Sequence, residues 1–450
     1  MISFFRNRDF LKNGILLSIR RTSDGCSPDY SITALKIISK NEKGENMKIL
    51  IDLSSAQPQG PVKINGGGEY SFILLKELVK CSSVNDRIDI ILNAQLGDNI
   101  ALSRFAEDNN IQNYKYSDIE QFGSILLKNN YQQLVLPVCY PKYATLKVPD
   151  SVRIVSAVHD LCDIYYGKIK VKYGRYPKLD CFNFIRYVGD SIKSQSCYAR
   201  SIENHNKIFS LNSNQVMYTV SYYSKSAFRY YLDVANVESV PVYYPPELHP
   251  NIVLSNCDSI LLKYDLVKGK YFMLSACCRW AKNDSIVAFT LDGLFSNDKY
   301  KKLLAGYKVI LLGADKKYKD YIMHHVKNRN KFVFDGFVSN EIIETLYKNA
   351  FMFVFPSVIE GFGMPPLEAM KYGTLVACST AMSIPEVCGD CAIYFDPCSI
   401  ESISLAILKG FDTEFSEELK IREKKRYEKI QNKRKNDLRL LVDMILKKEK

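Results

Sequence analysis

The residues best suited to chemistry lie in the stretch 353–397, FVFPSVIEGFGMPPLEAMKYGTLVACSTAMSIPEVCGDCAIYFDP. Its pattern predicts a buried strand, a glycine-containing loop, and a helix that begins near Pro365 or Pro366, where the missing N–H of proline is no loss. The first turn of such a helix offers free amides and the positive end of a dipole, which suit a phosphate or a sugar oxygen. Two carboxylates, Glu360 and Glu368, frame the loop with seven residues between them. Taken alone, Glu368 could simply complement the helix dipole, and the glycines could serve a tight turn.

Two cations and a histidine are further candidate site residues. Arg279 and Lys282 lie in SACCRWAKND, just after a predicted strand. Such a pair can hold a phosphate, or can be a solvated pair on a loop. His159 ends the predicted strand RIVSAVH, and α/β proteins build their sites at the carboxyl ends of parallel strands. A structural histidine is the alternative, but with five histidines in the whole chain this placement favours a functional one.

A glycine-rich turn, NGGGEY at 65–70, opens a predicted helix about a dozen residues after the first strand. A dinucleotide-binding fingerprint would need a third small residue and would lie directly at the strand end. Ser71 and the long preceding loop therefore argue against a nicotinamide cofactor.

The length and composition exclude several classes of protein. At about 150 residues per domain, the 450 residues predict two or three domains. Hydrophobic residues are 47% and charged residues 24%, which is ordinary for a globular protein and unlike a disordered or collagen-like chain. The net charge of +12 favours an anionic partner, either a phosphorylated ligand, an anionic lipid surface or a nucleic acid. No RNA- or DNA-binding signature accompanies the charge, so we expect no nucleic-acid partner.

The thirteen cysteines are an odd number spread along the chain, which indicates reduced thiols in a cytoplasmic protein. Cys388 and Cys391 form one C-x-x-C pair, but a structural zinc site needs a fourth ligand and usually a second pair. No apolar run approaches the roughly 20 residues of a membrane span, and the N-terminus is a poor signal peptide. We therefore expect contact with a membrane only at its surface.

From Met47 onward, apolar strand-like runs alternate with helix-like runs, which predicts βαβ units and parallel sheets. The first series comprises strands at 48–53, 88–92, 133–137 and 153–158 and helices at 69–80 and 117–128. A second series follows the proline-rich VPVYYPPELHPN, with strands at 271–275, 307–312, 331–334, 351–355, 374–377 and 392–395. We expect two doubly wound α/β domains, 47–245 and 246–412.

The two ends of the chain differ from these domains. Residues 1–46 lack a steady periodicity and end in the polar SKNEKGEN, so we expect an appended, dispensable segment. A functional extension and a start codon assigned too far upstream both fit this pattern. Residues 413–450 are strongly charged with recurring apolar positions, which predicts one or two amphipathic helices. A basic face there could contact anionic lipid, although the solvated face of a packed terminal helix is the commoner explanation.

EGFGMPPLEAM, followed by a threonine-bearing strand, SIPEVCGD and YFDP, resembles the signature of the group 1 (family 4) retaining glycosyltransferases of GT-B fold. KVILLGAD at 308–315, the stretch 332–357 and YTVSYYSKSAF at 218–228 are similar to further blocks of that family, in the expected order. The resemblance covers most of the chain from Met47 to about Gly410. It implies two Rossmann-like domains facing across a cleft, with the C-terminal helices packed back on the N-terminal domain.

The resemblance also implies roles for the candidate residues. Glu360 would lie beside the donor sugar, where His159 would face it, and Glu368 would bind the ribose hydroxyls. The backbone that would contact sugar hydroxyls and phosphate belongs to Phe362, Gly363 and Met364.

Arg279 and Lys282 match the cationic pair that neutralises the donor diphosphate, whose negative charge grows as the glycosidic bond breaks. The family commonly has a glycine at the end of the strand before this pair, whereas residues 275–278 here are SACC. Gly66 and Gly67 resemble the family's glycine-rich turn, whose backbone approaches the donor phosphates.

These resemblances predict a bacterial, cytoplasmic enzyme, peripheral at the inner face of the membrane. It would transfer a sugar from a nucleotide sugar to a hydroxyl of a glycan or lipid-linked glycan, without a metal ion or a cofactor beyond the donor. GDP-mannose is the favoured donor and UDP sugars are the alternative. The tyrosine- and lysine-rich loop 163–178 is expected to shape the acceptor site. Three alternatives remain. They are a glycogen-synthase-like or phosphorylase-like enzyme, a nicotinamide-dependent sugar-nucleotide enzyme, and a non-catalytic GT-B subunit that binds a partner enzyme or glycan.

Overall fold

The computed structural model describes residues 47–58, 66–161, 164, 197–234, 239–249, 252, 254–275 and 277–448. All of them belong to one compact unit. The predicted appended segment 1–46 lies outside the described residues, and so does the predicted acceptor loop 163–178 apart from Ile164.

The N-terminal sheet contains β1 (Lys48–Asp52), β2 (Arg87–Asn93), β3 (Asn113–Tyr116), β4 (Gln133–Leu136), β5 (Arg153–Val158) and β6 (Gln215–Thr219). All neighbours are parallel, in the order β3-β2-β1-β4-β5-β6. The accompanying helices are α1 (Gly66–Cys81), α2 (Ile100–Asp108), α3 (Ile119–Lys128) and α4 (Tyr222–Tyr231). A further helical segment covers 197–208.

The C-terminal sheet contains β7 (Tyr271–Leu274), β8 (Lys308–Leu312), β9 (Phe332–Asp335), β10 (Met352–Phe355), β11 (Leu375–Ser379) and β12 (Ile393–Phe395). It is also parallel, in the order β12-β11-β10-β7-β8-β9. Read from β9 and numbered from β7, this order is 3-2-1-4-5-6, the same as in the N-terminal sheet. It is the strand order of dinucleotide-binding folds.

The helices of the C-terminal part alternate with these strands. They are α5 (Cys257–Lys263), α6 (Asp284–Ser296), α7 (Asp298–Lys301), α8 (Lys316–His325), α9 (Asn340–Asn349), α10 (Met364–Met370), α11 (Ile384–Cys388), α12 (Ile400–Lys409) and α13 (Thr413–Ile445). None of the described helices combines the length and the apolar character that a membrane span requires.

The two parallel sheets confirm the predicted fold class, and every predicted strand is present, with ends that differ by at most two residues. The strands β3 and β6 were not predicted. Three of the four residues of β3 and three of the five residues of β6 are not fully buried, so neither strand shows the continuous apolar run of a central parallel strand.

The C-terminal region 413–445 forms a single helix, α13, which contacts both sheets. Near its start, the carboxylate of Glu423 accepts the backbone N–H of Val376 in β11 at 2.8 Å. Near its end, Leu441, Val442 and Ile445 join the apolar core beneath the N-terminal sheet. The last carbonyl of the helix, at Ile445, accepts the side-chain amide of Gln133 in β4 at 2.9 Å.

We expect Ile445→Ala to lower the free energy of unfolding by about 2–4 kcal/mol, because the side chain is fully buried against the N-terminal sheet and its removal leaves a cavity. The control is Ile421→Ala on the same helix, where the side chain is 58% exposed and the change should stay within about 0.5 kcal/mol. Urea unfolding followed by circular dichroism measures both. Equal effects of the two substitutions would contradict the packing of α13 described above.

Candidate active site

The carboxyl edges of the two sheets face one cavity of about 400 Å³. Such edges, where the strand order reverses, are the usual position of ligand sites in doubly wound sheets. Residues from both sheets' loops line this cavity, and among them are all ten of the site residues predicted from the sequence. These are Gly66, Gly67, His159, Arg279, Lys282, Glu360, Phe362, Gly363, Met364 and Glu368.

Lys282 and Glu360 form an ion pair on the C-terminal side of the cleft. Lys282 ends a single 3-10 turn after β7, and Glu360 lies in the loop after β10, the neighbouring strand. The Nζ atom of Lys282 donates to Oε1 of Glu360 at 2.5 Å, and each side chain is only 12% exposed. Lys282 Nζ also lies 5.1 Å from the centre of the Phe355 ring. The pair therefore places a positive and a negative group side by side at the cleft wall, with little water around them.

Arg279 lies just before this 3-10 turn and is exposed to the cleft. Within the described part of the chain, no carboxylate forms an ion pair with its guanidinium. The residue before it, Cys278, has φ of 74°, a left-handed conformation that favours glycine. This is the region where the resembling family commonly has a glycine. The backbone N–H of Asp315 donates to the Cys278 sulfur at 3.0 Å, which helps to hold the conformation.

Glu368 lies in α10, beyond the first turn of that helix, so it does not serve to complement the helix dipole. Burial raises the pKa of this carboxyl to about 7, and the nearby charge of Glu344 adds to the shift. The hydroxyl of Tyr347 donates to Oε2 of Glu368 at 3.3 Å. Glu368 is therefore partly protonated near neutral pH, and a ligand that donates hydrogen bonds to it would favour the ionised form.

His159 follows β5 on the opposite side of the cleft. Its Nε2 lies 2.6 Å from the carbonyl oxygen of Pro137, and its ring packs edge-to-face with the Tyr70 ring, with 4.9 Å between the ring centres. Because a carbonyl can only accept, Nε2 carries the proton and Nδ1 is the unprotonated nitrogen of the neutral ring. Burial lowers the pKa of His159, so the neutral form prevails near neutral pH.

Gly361 is a site residue that the sequence analysis assigned only to a turn. A Cβ atom at this position would lie 2.3 Å from the carbonyl oxygen of His159, a distance that real Cβ atoms do not reach. The loop that carries Glu360 therefore touches the strand end that carries His159, and only glycine permits this. Gly363, the residue before α10, is a second constrained position. Its φ of 95° lies in the left-handed region, which favours glycine.

A histidine in the linker between the sheets was also missed. His249 lies within VPVYYPPELHPN and lines the cleft. Its Nε2 lies 3.2 Å from Glu69 of α1, and its Nδ1 lies 3.1 Å from the side-chain amide of Asn340 of α9. The hydrogen bond to Glu69 raises the pKa of His249. No sequence pattern connects these residues, because they come from three segments that are far apart along the chain.

No group of three metal-binding side chains is close enough to hold an ion within the described ranges. The expectation that the reaction needs no divalent ion stays a prediction.

Residues 287–434 match the family model described as Glycosyl transferases group 1. These residues, about a third of the chain, are therefore similar to a group 1 glycosyltransferase domain. The resemblance drawn from EGFGMPPLEAM and the neighbouring blocks is therefore confirmed.

Curated relatives of the chain include two mannosyltransferases of Escherichia coli. The O-antigen chain mannosyltransferase B is 30% identical over 211 residues, which are 45% of this chain and 52% of that protein. The serotype-specific mannosyltransferase WbdA is 39% identical over 94 residues, which are 21% of this chain and 12% of that protein. The chain thus spans about half the length of the first relative and much less of the second.

Solved structures of glycosyltransferases match almost the whole length of the chain. WaaG, described as involved in lipopolysaccharide biosynthesis, has a TM-score of 0.62 at 12% identity, covering 88% of this chain and 99% of that chain. HepE of Anabaena in complex with UDP and glucose has a TM-score of 0.60 at 13% identity, covering 88% and 100%. At these identities the likeness shows the fold alone, and it confirms the predicted GT-B architecture. The roles of the ten cleft residues remain predictions.

Proposed function

We propose that this protein is a retaining glycosyltransferase that transfers a sugar, with mannose favoured, from a nucleotide sugar to a hydroxyl of a glycan or lipid-linked glycan in polysaccharide biosynthesis. The observation that carries the proposal is that ten residues from separate parts of the chain line one cleft between two Rossmann-like sheets. The names of the E. coli relatives support mannose as the transferred sugar.

In this proposal, the donor lies mainly against the C-terminal sheet. The carboxylate of Glu368 accepts hydrogen bonds from the ribose hydroxyls, and Arg279 and Lys282 hold the diphosphate. Breaking the bond between the sugar carbon and the phosphate oxygen sends an electron pair to the diphosphate, so cations beside it stabilise the transition state. Arginine can hold two phosphate oxygens at once, whereas lysine supplies a point charge.

Glu360 stabilises the positive charge that develops on the sugar ring. Its ion pair with Lys282 makes its oxygens weaker nucleophiles, which favours displacement on the same face over a covalent sugar–enzyme intermediate. In that displacement the acceptor hydroxyl attacks the sugar carbon as the diphosphate leaves, and the hydroxyl proton passes to the departing phosphate oxygen. His159, neutral and held by Pro137, supports the sugar from the other side of the cleft.

The acceptor is proposed to lie against the N-terminal sheet, near the 163–178 segment. A cytoplasmic location with peripheral contact to an anionic membrane surface is part of the proposal, and the net charge of +12 supports it. The only substrates proposed are the nucleotide sugar and the glycan, without a cofactor or a required metal ion.

We expect Glu360→Gln to reduce turnover by roughly a hundredfold or more, because it removes the charge that stabilises the sugar cation. Donor affinity should change only a few-fold. Calorimetry measures donor binding, and product release measures the slow hydrolysis of the donor. Both are run in the presence of a chelator with a panel of donors that includes GDP-mannose and UDP-glucose. Glu414→Gln, the same change at an exposed position of α13, is the control.

Selective binding of one donor, with hydrolysis lost in Glu360→Gln alone, supports the proposed function. A folded protein that binds no donor would instead favour a non-catalytic GT-B subunit. Turnover lost in the chelator and restored by manganese would contradict the metal-independent reaction.

The raised pKa of Glu368 generates a pH dependence of donor binding. Burial raises the pKa of Glu368 to about 7, so at a lower pH the carboxyl is protonated and must lose its proton before it accepts the ribose hydroxyls. Donor binding should therefore weaken as the pH falls. We expect the Kd of the donor to be about tenfold higher at pH 6 than at pH 8. Glu368→Gln should bind more weakly at pH 8 and should lose this pH dependence. An unchanged pH dependence in the variant would contradict the role of Glu368.

A further inference from the structure

The helix α4, which follows β6 of the N-terminal sheet, has an N-terminus that is completed by a residue of the other domain. The first N–H groups of a helix have no partner within it. The N-cap side chain of Ser221 accepts the N–H of Ser224. The N–H groups of Tyr222 and Tyr223 instead donate to the two carboxylate oxygens of Glu386, at 2.9 and 2.8 Å.

Glu386 lies in α11, between two strands of the C-terminal sheet, and is the glutamate of the SIPEV block. In the first turn of its own short helix it could merely complement the dipole. Its carboxylate instead accepts hydrogen bonds from groups outside that helix. These are the two amides of α4 and the hydroxyl of Tyr244, at 2.9 Å from Oε1. Charge-assisted hydrogen bonds of this kind are among the stronger ones in proteins.

The same helix start binds both loops of the cleft. The hydroxyl of Ser221 donates to the carbonyl of Gly361 at 2.7 Å, and the hydroxyl of Ser224 donates to the carbonyl of His159 at 2.8 Å. One end of α4 thus holds the residue next to Glu360 and the proposed sugar-facing histidine together. We call Glu386, Ser221, Ser224 and the amides of Tyr222 and Tyr223 the interdomain clasp.

Tyr244 connects the clasp to the linker and to the cleft wall. Its ring packs edge-on against Phe362 with 4.9 Å between ring centres, and Phe362 lines the cleft. Its backbone N–H donates to Asp437 of α13 at 2.9 Å. The position of Glu386 is therefore coupled to the linker, to the terminal helix and to the donor loop, although Glu386 does not itself line the cleft.

We propose that Glu386 is a positioning residue for the glycosyl transfer, a role that rests on the proposed function. By capping α4 across the domain boundary, its carboxylate keeps the carboxyl edges of the two sheets at the spacing that places His159 opposite Glu360. Most of the proposed donor contacts, those of Glu368, Arg279 and Lys282 among them, lie on the C-terminal side, so they persist without the clasp. Loss of Glu386 therefore impairs the reaction more than it impairs donor binding.

The test compares Glu386→Ala and Glu386→Gln with the wild type. In Glu386→Ala we expect kcat to fall roughly ten- to one-hundred-fold, the range that small misplacement of reacting groups produces. The donor Kd should stay within about threefold of the wild type, because the donor-binding groups on the C-terminal side are unchanged. Glu386→Gln keeps an acceptor oxygen and should retain an intermediate kcat. The control is Glu401→Ala, an exposed glutamate in the first turn of α12.

Hydrogen exchange measures the hydrogen bonds of the interdomain clasp independently of enzymatic activity. The amides of Tyr222 and Tyr223 should exchange faster in Glu386→Ala, whereas the amides of β6 should not change. Equal exchange in the variant and the wild type, or an unchanged kcat, would overturn the proposal, and so would a donor Kd that rises as much as kcat falls. If the wild type turned over no donor, the proposed function would fail, and the exchange of these two amides would still decide whether the clasp exists.

Discussion

The contact between Gly361 and the carbonyl of His159 is the constraint on which the site depends. Each residue lies at the carboxyl edge of a different sheet, and the space between them leaves no room for a Cβ atom. Because parallel sheets collect their functional loops at one edge, each sheet alone could place only part of the cleft residues. The close approach brings the two halves together, and the serine hydroxyls of α4 bind both carbonyls at that point.

The electrostatics of the cleft follow from this arrangement. Lys282 and Glu360 are paired with little exposure, so a ligand that carries a diphosphate would meet a cation already held in place. A preorganised cation needs no rearrangement at the moment when negative charge develops, which is why such sites are effective. Glu368 contrasts with this pair, since its enclosed carboxyl has a pKa raised to about 7 and is sensitive to what binds it.

Much of the fold could be predicted from the sequence because the central strands are continuous apolar runs. The strand β3, NYKY, could not be predicted in this way, since two of its four residues are partly buried and one is exposed. The cleft residues could be predicted from local motifs, since strand ends and glycine loops mark the carboxyl edges of parallel sheets. The left-handed Cys278 was not visible from its residue type, because cysteine seldom adopts this conformation.

The contacts that join the two sheets and their loops could not be predicted from the sequence. Glu386 and the amides of Tyr222 and Tyr223 are more than a hundred and sixty positions apart, and amides carry no residue-type signal at all. The bridge from Glu69 through His249 to Asn340 likewise joins three distant segments. Such contacts depend on how the two sheets lie against each other in the folded chain, whereas a sequence pattern reports only the surroundings of one helix or strand.

Gly361→Ala tests most directly whether the site is assembled by this contact. We expect the added methyl group to force the two loops apart, so that turnover falls roughly a hundredfold while donor affinity and the far-ultraviolet spectrum stay close to the wild type. Gly293→Ala, where an added Cβ meets no atom within 4 Å, is the matched control and should leave turnover unchanged. Wild-type turnover in Gly361→Ala would contradict the assembly of the site by the contact between Gly361 and His159.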